Sequence, residues 1–268
     1  MKAKILQVAW QQKERMIFQK ELINRDAMPA AKEALLSDNR VLIISGMRRT
    51  GKSTLLMQLM QEVGNAAYFN FEDEKLLDFT IAHFGDLEEA LIEVYGPADY
   101  WFFDEIQNVG NFEVAIRRLQ DNGKKLVITG SNSSMLSMEF GSKLTGRYKQ
   151  IELFPFSFGE YLRFQKINFS EKDFYLPESR VMLKNHFNKW LNEGGLPEFL
   201  KYQDEQYVKT LFDNILYRDI IVRYGIRRHR EFRELVQLLA SNLSLPVTFT
   251  SLQRSIGLSN SEIGRAHV

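Results

Sequence analysis

The chain of 268 residues is 44% hydrophobic and 26% charged, with a formal net charge of +1. These values are typical of a globular protein with one large or two modest domains, of which we expect two, and they exclude a global electrostatic attraction to nucleic acid or membrane. There is no cysteine, and the four histidines are scattered, so disulfides and thiolate metal sites are excluded and no structural metal is expected.

The sequence has no recognisable secretion or membrane-spanning segment. The charged run Lys13-Glu14-Arg15 comes before any apolar segment of signal-peptide length. No stretch elsewhere approaches the ~20 apolar residues that a membrane-spanning helix needs. We therefore expect a soluble, cytoplasmic protein with no membrane partner.

The first predicted elements lead into a loop rich in glycine. A helix is expected over 17–36, with a break at Pro29, then an apolar strand over 41–44 and, beyond the loop, a helix over 54–60. The loop matches the pattern G-x-x-x-x-G-K-[ST] with Gly46, Met47, Arg48, Arg49, Thr50, Gly51, Lys52 and Ser53. The order of strand, glycine loop and helix is the context that makes this pattern a triphosphate-binding site.

The groups in this loop have distinct roles in that prediction. The glycines permit backbone torsions that turn amide N–H groups toward phosphate oxygens. Lys52 reaches the β and γ phosphates, Ser53 is a ligand for Mg²⁺, and the helix that opens there adds its positive dipole end. Arg48 and Arg49 face either phosphate or a neighbouring acid such as Glu72, and the sequence does not choose.

Strand and helix signals alternate after the loop. Strands are expected over 66–71, 100–103, 125–129 and 150–153. Asp86 and Glu89 predict a capping box at the start of a helix over 87–95. The alternation predicts an α/β fold, with a parallel sheet covered by helices on both faces.

The strand over 100–103 ends in the paired carboxylates Asp104 and Glu105, an arrangement called Walker B. Parallel strands present functional groups at their carboxyl ends, in the crevice that also holds the phosphate loop. Asp104 is therefore expected to hold Mg²⁺, directly or through water. Glu105 is expected to polarise the water that attacks the γ-phosphoryl group, so the pair predicts hydrolysis and not binding alone.

Further polar groups follow the later strands. Ser131 or Asn132 comes after the strand over 125–129 and is placed to orient the attacking water or sense the γ-phosphate, with a plain turn as the alternative. Arg147 offers a guanidinium for developing phosphoryl charge, in cis or across a subunit interface, with a solvated arginine as the alternative.

The pattern becomes helical beyond Pro155, where Ser157 and Glu160 predict a second capping box. We place a domain boundary there. The predicted organisation is an N-terminal helical segment over 1–40, a phosphate-loop core over 41–155, a helical lid or linker over 156–228 and the start of a winged-helix domain over 229–262.

The C-terminal region has features of a DNA-binding module. A helix is expected over 231–243, and 250–259 resembles the first helix and glycine turn of a helix-turn-helix. A basic cluster precedes it, composed of Arg223, Arg227, Arg228, Arg230 and Arg233. Because Asp219, Glu231 and Glu234 are interleaved, an ion-paired solvated face is favoured over phosphate contacts. Winged helices also dock proteins, so a DNA partner and a protein partner both remain open.

The last residues, 263–268, read as the translation of a sequencing-adapter segment, ATC GGA AGA GCA CAC GTC. We expect this tail to be foreign to the protein, whose own sequence would continue beyond about Ser261. The winged helix would then be truncated. Sequencing of the source locus tests this expectation.

Five segments together resemble the predicted bacterial and archaeal ATPases of the AAA+ superfamily, with an AAA_14-type phosphate-loop domain and a DUF4143-type C-terminal domain that contains a winged helix. They are 46–53, 103–107, 129–132, 144–147 and 153–160. The resemblance implies the AAA+ (ASCE-type) strand arrangement, with the sensor strand between the Walker A and Walker B strands. It implies nucleotide binding at Gly46 to Thr54, Mg²⁺ and catalysis at Asp104 and Glu105, sensing at Ser131 or Asn132 and a finger at Arg147.

The expected function is therefore hydrolysis of ATP with Mg²⁺, which drives or switches a conformational change in an unknown partner. The alternative is a nucleotide-gated switch with little turnover, whose output is protein or DNA binding. A small-molecule kinase is weakened by Glu105 and by the absence of an acceptor-binding motif. Assembly into a homo-oligomer is left open.

Overall fold

The computed structural model describes residues 1–17, 22–131, 146–222, 224–243, 245–246, 248 and 250–252. The chain divides into two compact units, Met1–Lys201 and Tyr202–Val268. No helix among these described residues has both the length and the apolar character needed to cross a bilayer.

The first unit is built on a parallel sheet. Its strands are β1 (Val41–Ser45), β2 (Ala66–Asn70), β3 (Tyr100–Asp104), β4 (Lys125–Gly130) and β5 (Tyr148–Glu152). Every pairing is parallel, and the spatial order is β2-β3-β4-β1-β5. The predicted α/β class is confirmed, and β4 lies between β1 and β3 as the resemblance implied. The carboxyl ends of β1, β3 and β4 therefore meet at one edge.

Helices cover both faces of the sheet. They are α1 (Lys2–Ile17), α2 (Met28–Ser37), α3 (Lys52–Val63), α4 (Phe84–Tyr95) and α5 (Phe112–Asp121). Side chains of α1, α4 and α5 pack with Ile43, Phe103 and Ile128 on one face, while α2 and α3 pack with Leu42 and Phe102 on the other. Because the central strands are buried on both faces, their sequences are continuous apolar runs.

Two helix predictions were wrong in detail. Of the helix expected over 17–36, residues 18–21 lie outside the described residues, residues 22–25 are not helical, and α2 forms the last part. Pro29 lies in the first turn of α2, because a missing N–H costs nothing at a helix start. Helix α4 begins at Phe84, so Asp86 lies inside its first turn and does not cap it. This helix begins before residue 87, the predicted start, because a short 3-10 turn leads directly into it. In that turn the Thr80 N–H donates to His83 Nδ1 at 3.0 Å.

The described residues after β5 form three more helices: α6 (Phe158–Phe164), α7 (Pro177–Glu193) and α8 (Pro197–Tyr202), the last of which ends one residue beyond the first unit. The capping box of α6 is present, since the Glu160 N–H donates to Ser157 Oγ and the Ser157 N–H donates to Glu160 Oε2. Residues 156–201 belong to the same compact unit as the sheet, whereas the sequence placed a boundary near Pro155. A buried ion pair between Arg25 and Glu160 ties α6 to the residues before α2.

The described part of the second unit is helical, as expected. It contains α9 (Glu205–Asn214), a π-helical stretch (Ile215–Val222) and α10 (His229–Ser241) around a small apolar core that includes Leu216 and Phe232. Ion pairs join Arg230 to Glu234 at 3.1 Å and Arg233 to Asp213 at 3.0 Å. Residues 253–268, with the predicted glycine turn and recognition helix, and Arg223 lie outside the described residues.

Candidate functional site

The glycine loop leaves the carboxyl end of β1 in a conformation that requires its two glycines. Gly46 has φ +143°, and a Cβ atom there would lie 2.2 Å from the carbonyl oxygen of Leu153. Gly51 has φ +92° and precedes α3, in the left-handed region that disfavours side chains. The loop therefore curls over the start of α3, where unpaired backbone N–H groups and the positive helix dipole favour an anion.

Lys52 is buried at the centre of this curl. Its Nζ donates to the carbonyl oxygens of Gly46 and Met47, both at 3.1 Å, and lies 3.7 Å from Glu105 Oε1. Burial lowers the pKa of Lys52 below its ordinary value, and the nearby charges of Glu105 and Asp104 oppose that shift. The ammonium group is thus held between the phosphate loop and the end of β3.

Asp104 is fully buried at the end of β3 and is fixed by three donors. Its Oδ2 accepts from Tyr68 Oη at 3.0 Å and from Asn70 Nδ2 at 3.3 Å, and its Oδ1 accepts from Thr129 Oγ1. Burial, and then the Asp104 charge, raise the pKa of Tyr68 well above its ordinary value, so the phenol remains a donor. The neighbouring strands β2 and β4 together orient this carboxylate.

Glu105 follows in a left-handed backbone conformation with φ +52°. Its N–H donates to Thr129 Oγ1 at 3.0 Å, and its carboxylate accepts from Gln107 Nε2. Gln107 Nε2 also lies 3.3 Å from Ser131 Oγ, which brings Ser131 to the same edge. Strained torsions of this kind are typical of functional sites. Asn132 lies outside the described residues.

A cavity of about 360 Å³ opens beside the loop. Its charged lining consists of Arg48, Arg49, Lys52, Glu72, Glu105 and Glu198, and its wall also includes Ser53 and Thr54. Arg48 pairs with Glu72 at 3.1 Å, and Arg49 pairs with Glu198 at 3.2 Å. Both loop arginines therefore have acidic partners on the cavity wall in this structure, and their contact with phosphate stays a prediction.

Arg147 lies at the opposite edge of the sheet. Its carbonyl oxygen accepts from the N–H of Val41, the first residue of β1, and its side chain pairs with Asp121 at 2.7 Å. The phosphate loop follows the last residue of β1, roughly 13–17 Å away at about 3.3 Å per residue. The structure does not bring Arg147 to this cavity, so a role in cis has no geometric support.

Several residues of the site were missed by the sequence reasoning. Arg25, before α2, is buried and donates to the carbonyl oxygens of Thr50 and Phe154 and to Glu160 Oε1. Glu198 comes from the distant start of α8. Thr129 carried a detectable signal, because it is a polar residue that closes an apolar strand, whereas Arg25 and Glu198 carried none.

The residues present fit a magnesium-bound triphosphate. A Cβ atom at Gly46 would collide with Leu153, which indicates a backbone cradle that accepts no side chain. The hydroxyl of Ser53 and the carboxylate of Asp104 are the oxygen ligands that Mg²⁺ prefers. Lys52 supplies the cation for the phosphates, and the positioned Glu105 can accept a proton from water.

Comparison with known families gives two matches. Residues 38–162 match the AAA domain family. Residues 184–267 match a domain of unknown function, DUF8612, which corrects the expectation of a DUF4143-type domain in the C-terminal part.

Two curated relatives are themselves uncharacterized proteins. One, from Methanocaldococcus jannaschii, is 32% identical over 251 residues, which cover 91% of this chain and 55% of the relative. Another, from Haemophilus influenzae, is 29% identical over 233 residues, which cover 81% of this chain and 55% of the relative. This chain therefore spans about half the length of these relatives.

The fold is also similar to that of a solved structure, a Walker-type ATPase of Pyrococcus abyssi. The TM-score is 0.54 at 14% sequence identity, and the match covers 92% of this chain and 88% of that one. At this identity the similarity concerns the fold alone.

Proposed function

We propose that this chain, whose residues 38–162 match the AAA domain family, binds ATP with Mg²⁺ and hydrolyses it. The observation that supports the proposal most strongly is the meeting of Lys52, Asp104 and Glu105 at one sheet edge. Lys52 Nζ lies 3.7 Å from Glu105 Oε1, although the sequence separates the two residues widely. A surface pair of acids at a strand end would not be buried against this lysine.

Different groups of the protein have different roles in the proposed phosphoryl transfer. Backbone N–H groups of the loop and the ammonium group of Lys52 bind the phosphates and offset their charge. Ser53 and Asp104 would hold Mg²⁺, which when bound supplies Lewis-acid stabilisation of charge on the phosphoryl oxygens. The Glu105 carboxylate orients the attacking water and accepts its proton. Thr129 links the two acids, since its Oγ1 donates to Asp104 and accepts from the Glu105 N–H.

Paired variants test this division. Lys52→Ala should abolish binding of ATP measured by calorimetry, because the buried cation that pairs with the phosphates is lost. Glu105→Gln should retain binding and lower the steady-state hydrolysis rate by about 10²-fold or more, which is the usual contribution of a positioned base. Lys32→Ala is the matched control, because Lys32 lies on the surface in an exposed pair with Glu62. Equal hydrolysis rates in all variants and the parent would contradict the proposal.

A nucleotide-gated switch with little turnover is the second candidate. It is favoured by the position of Glu105, whose carboxylate lies between Lys52 and Gln107. A base held in this way turns over slowly until a partner or conformational change separates these groups. Hydrolysis measured in single-turnover and multiple-turnover modes, with and without duplex DNA, distinguishes the two. A switch hydrolyses at most about once per binding event, whereas a motor cycles.

The output of the proposed ATPase lies beyond the phosphate site. We propose that the C-terminal region docks a protein or DNA partner, on the sequence evidence for a helix-turn-helix. Arg147 remains a candidate finger in trans, since it is exposed and distant from the cavity of its own chain. Arg147→Ala mixed with a Glu105→Gln variant tests this role, because only a trans finger allows the mixture to differ from the average of its components.

A further inference from the structure

One wall of the phosphate cavity comes from the segment 194–198, which has the sequence Gly-Gly-Leu-Pro-Glu. This segment is packed tightly against the chain that follows β5. The N–H of Phe156 donates to the carbonyl oxygen of Gly195 at 2.7 Å, and the indole N–H of Trp190 donates to the Phe156 carbonyl oxygen at 3.0 Å. A Cβ atom at Gly195 would lie 2.2 Å from that same oxygen. Glycine is therefore required here for close approach.

The same stretch of chain also contacts the phosphate loop. Leu153, three residues before Phe156, presents its carbonyl oxygen to Gly46, where a Cβ atom would meet it at 2.2 Å. Residues 153–156 thus lie between the loop on one side and the segment 194–198 on the other. This packing gives Glu198, at the start of α8, a fixed position beside the loop.

Each of the three cationic side chains that line the cavity lies beside an acidic side chain. Arg48 pairs with Glu72 at 3.1 Å, and Lys52 lies 3.7 Å from Glu105. The third pair, Arg49 with Glu198 at 3.2 Å, is at the rim, where the Arg49 side chain is 61% exposed and that of Glu198 34% exposed. Arg49 has φ +66°, in the left-handed region that non-glycine residues adopt only rarely.

A polyphosphate in this cavity would compete for these cations. Phosphate oxygens carry more charge than a carboxylate and accept paired N–H donors from a guanidinium. A phosphate can replace Glu198 in the pair at the rim at little cost, because an exposed ion pair contributes only about 0–1 kcal/mol.

We propose that Glu198 is a positioning residue that holds Arg49 at the rim of the phosphate cavity, and that a terminal phosphate replaces Glu198 as the partner of Arg49. Arg49 thereby favours nucleoside triphosphate over diphosphate, and Glu198, which competes with the terminal phosphate, limits that preference. This inference rests on the proposed nucleotide site. It assigns a binding role to the segment 194–198, which lies outside the matched AAA domain.

The test measures affinities for Mg²⁺ complexes of a non-hydrolysable ATP analogue and of ADP by calorimetry. In Glu198→Gln, the analogue should bind about three- to fivefold more tightly, the limit for an exposed pair, while ADP should change by less than about twofold. Arg49→Ala should weaken the analogue and leave ADP within about twofold. In the double variant Arg49→Ala/Glu198→Gln, removal of the acid should have no effect beyond that of Arg49→Ala.

Three results would overturn the inference: no change in Glu198→Gln, equal tightening of ADP and the analogue, or tightening that persists without Arg49. The last two would mean that Glu198 acts by plain charge repulsion. Glu178→Gln, an exposed acid on α7, controls for loss of one negative charge. Glu198→Ala, checked by its melting temperature, replaces Glu198→Gln if that variant does not fold. If the parent and Lys52→Ala bind the analogue equally, the proposed nucleotide site itself has failed.

Discussion

The buried pair between Arg25 and Glu160 allows a stability prediction with a defined size. Arg25 Nε donates to Glu160 Oε1 at 2.8 Å, and its two terminal nitrogens donate to the carbonyl oxygens of Thr50 and Phe154 at 2.6 and 2.7 Å. Both charged side chains are nearly inaccessible, at 3% and 4% exposure. Arg25→Met removes the cation and keeps much of the aliphatic volume. It leaves a buried carboxylate without its counter-ion.

Removal of one partner from a buried ion pair typically costs about 3–5 kcal/mol. A unit of the length of Met1–Lys201 loses about 2–4 °C of melting temperature per kcal/mol, so the expected fall is about 6–20 °C. The matched control is Arg40→Met, whose exposed pair with Asp38 contributes about 0–1 kcal/mol. Differential scanning calorimetry of the two variants measures the difference.

A double variant separates the charge from the packing. Glu160→Gln keeps the shape of the side chain and removes its charge, so Arg25→Met/Glu160→Gln leaves no unpaired ion. We expect this double variant to lose less stability than the sum of the two single losses. A fall in the melting temperature of Arg25→Met of no more than about 4 °C, the most that an exposed pair would give, would refute the reasoning.

Three other predictions concern the loop, a helix and pH. Gly46→Ala should abolish nucleotide binding, since its Cβ would lie 2.2 Å from the Leu153 carbonyl oxygen, and calorimetry with ATP checks this. Gly85→Ala should raise the melting temperature slightly, by the equivalent of about 0.4–1 kcal/mol, because it lies in α4 with no atom within 4 Å of the added methyl group. A lower melting temperature would contradict this. ATP affinity should fall as pH rises through the lowered pKa of Lys52, below 10.5, because binding requires the ammonium form. Lys52→Arg should remove that pH dependence, since guanidinium stays protonated, and a parallel decline in both proteins would exclude Lys52 as the titrating group.

The fold was largely predictable because its signals are local. Buried parallel strands are short apolar runs, and each of the expected strands is present within one or two residues. The capping box of Ser157 and Glu160 was also recognised correctly. The helix α1 lies within the helical segment that the sequence predicts over 1–40, and its buried residues Ile5, Val8 and Ala9 have helical spacing, but its bounds were not predicted.

The roles of the site residues stay predictions, although the structure brings Lys52, Asp104, Glu105 and Ser131 to one edge. That meeting was predictable because parallel strands present functional groups at their carboxyl ends, and because the family resemblance implied that β4 lies between β1 and β3. The finger role implied for Arg147 did not take into account that this residue precedes β5, at the end of the sheet opposite the phosphate loop. Fewer predictions could be compared with the structure in the second unit, because its predicted recognition helix falls in 253–268, outside the described residues.

The amino-acid sequence alone determined the parallel sheet, the glycine loop and the carboxylate pair at the end of β3, because strands, loops and motifs are encoded by neighbouring residues. Only the tertiary structure decided the partners of Arg49 and the position of Arg25. Glu198 lies far from Arg49 in the chain, and Glu160 lies far from Arg25. Such contacts depend on how helices pack against the sheet edge, and no local pattern records that packing.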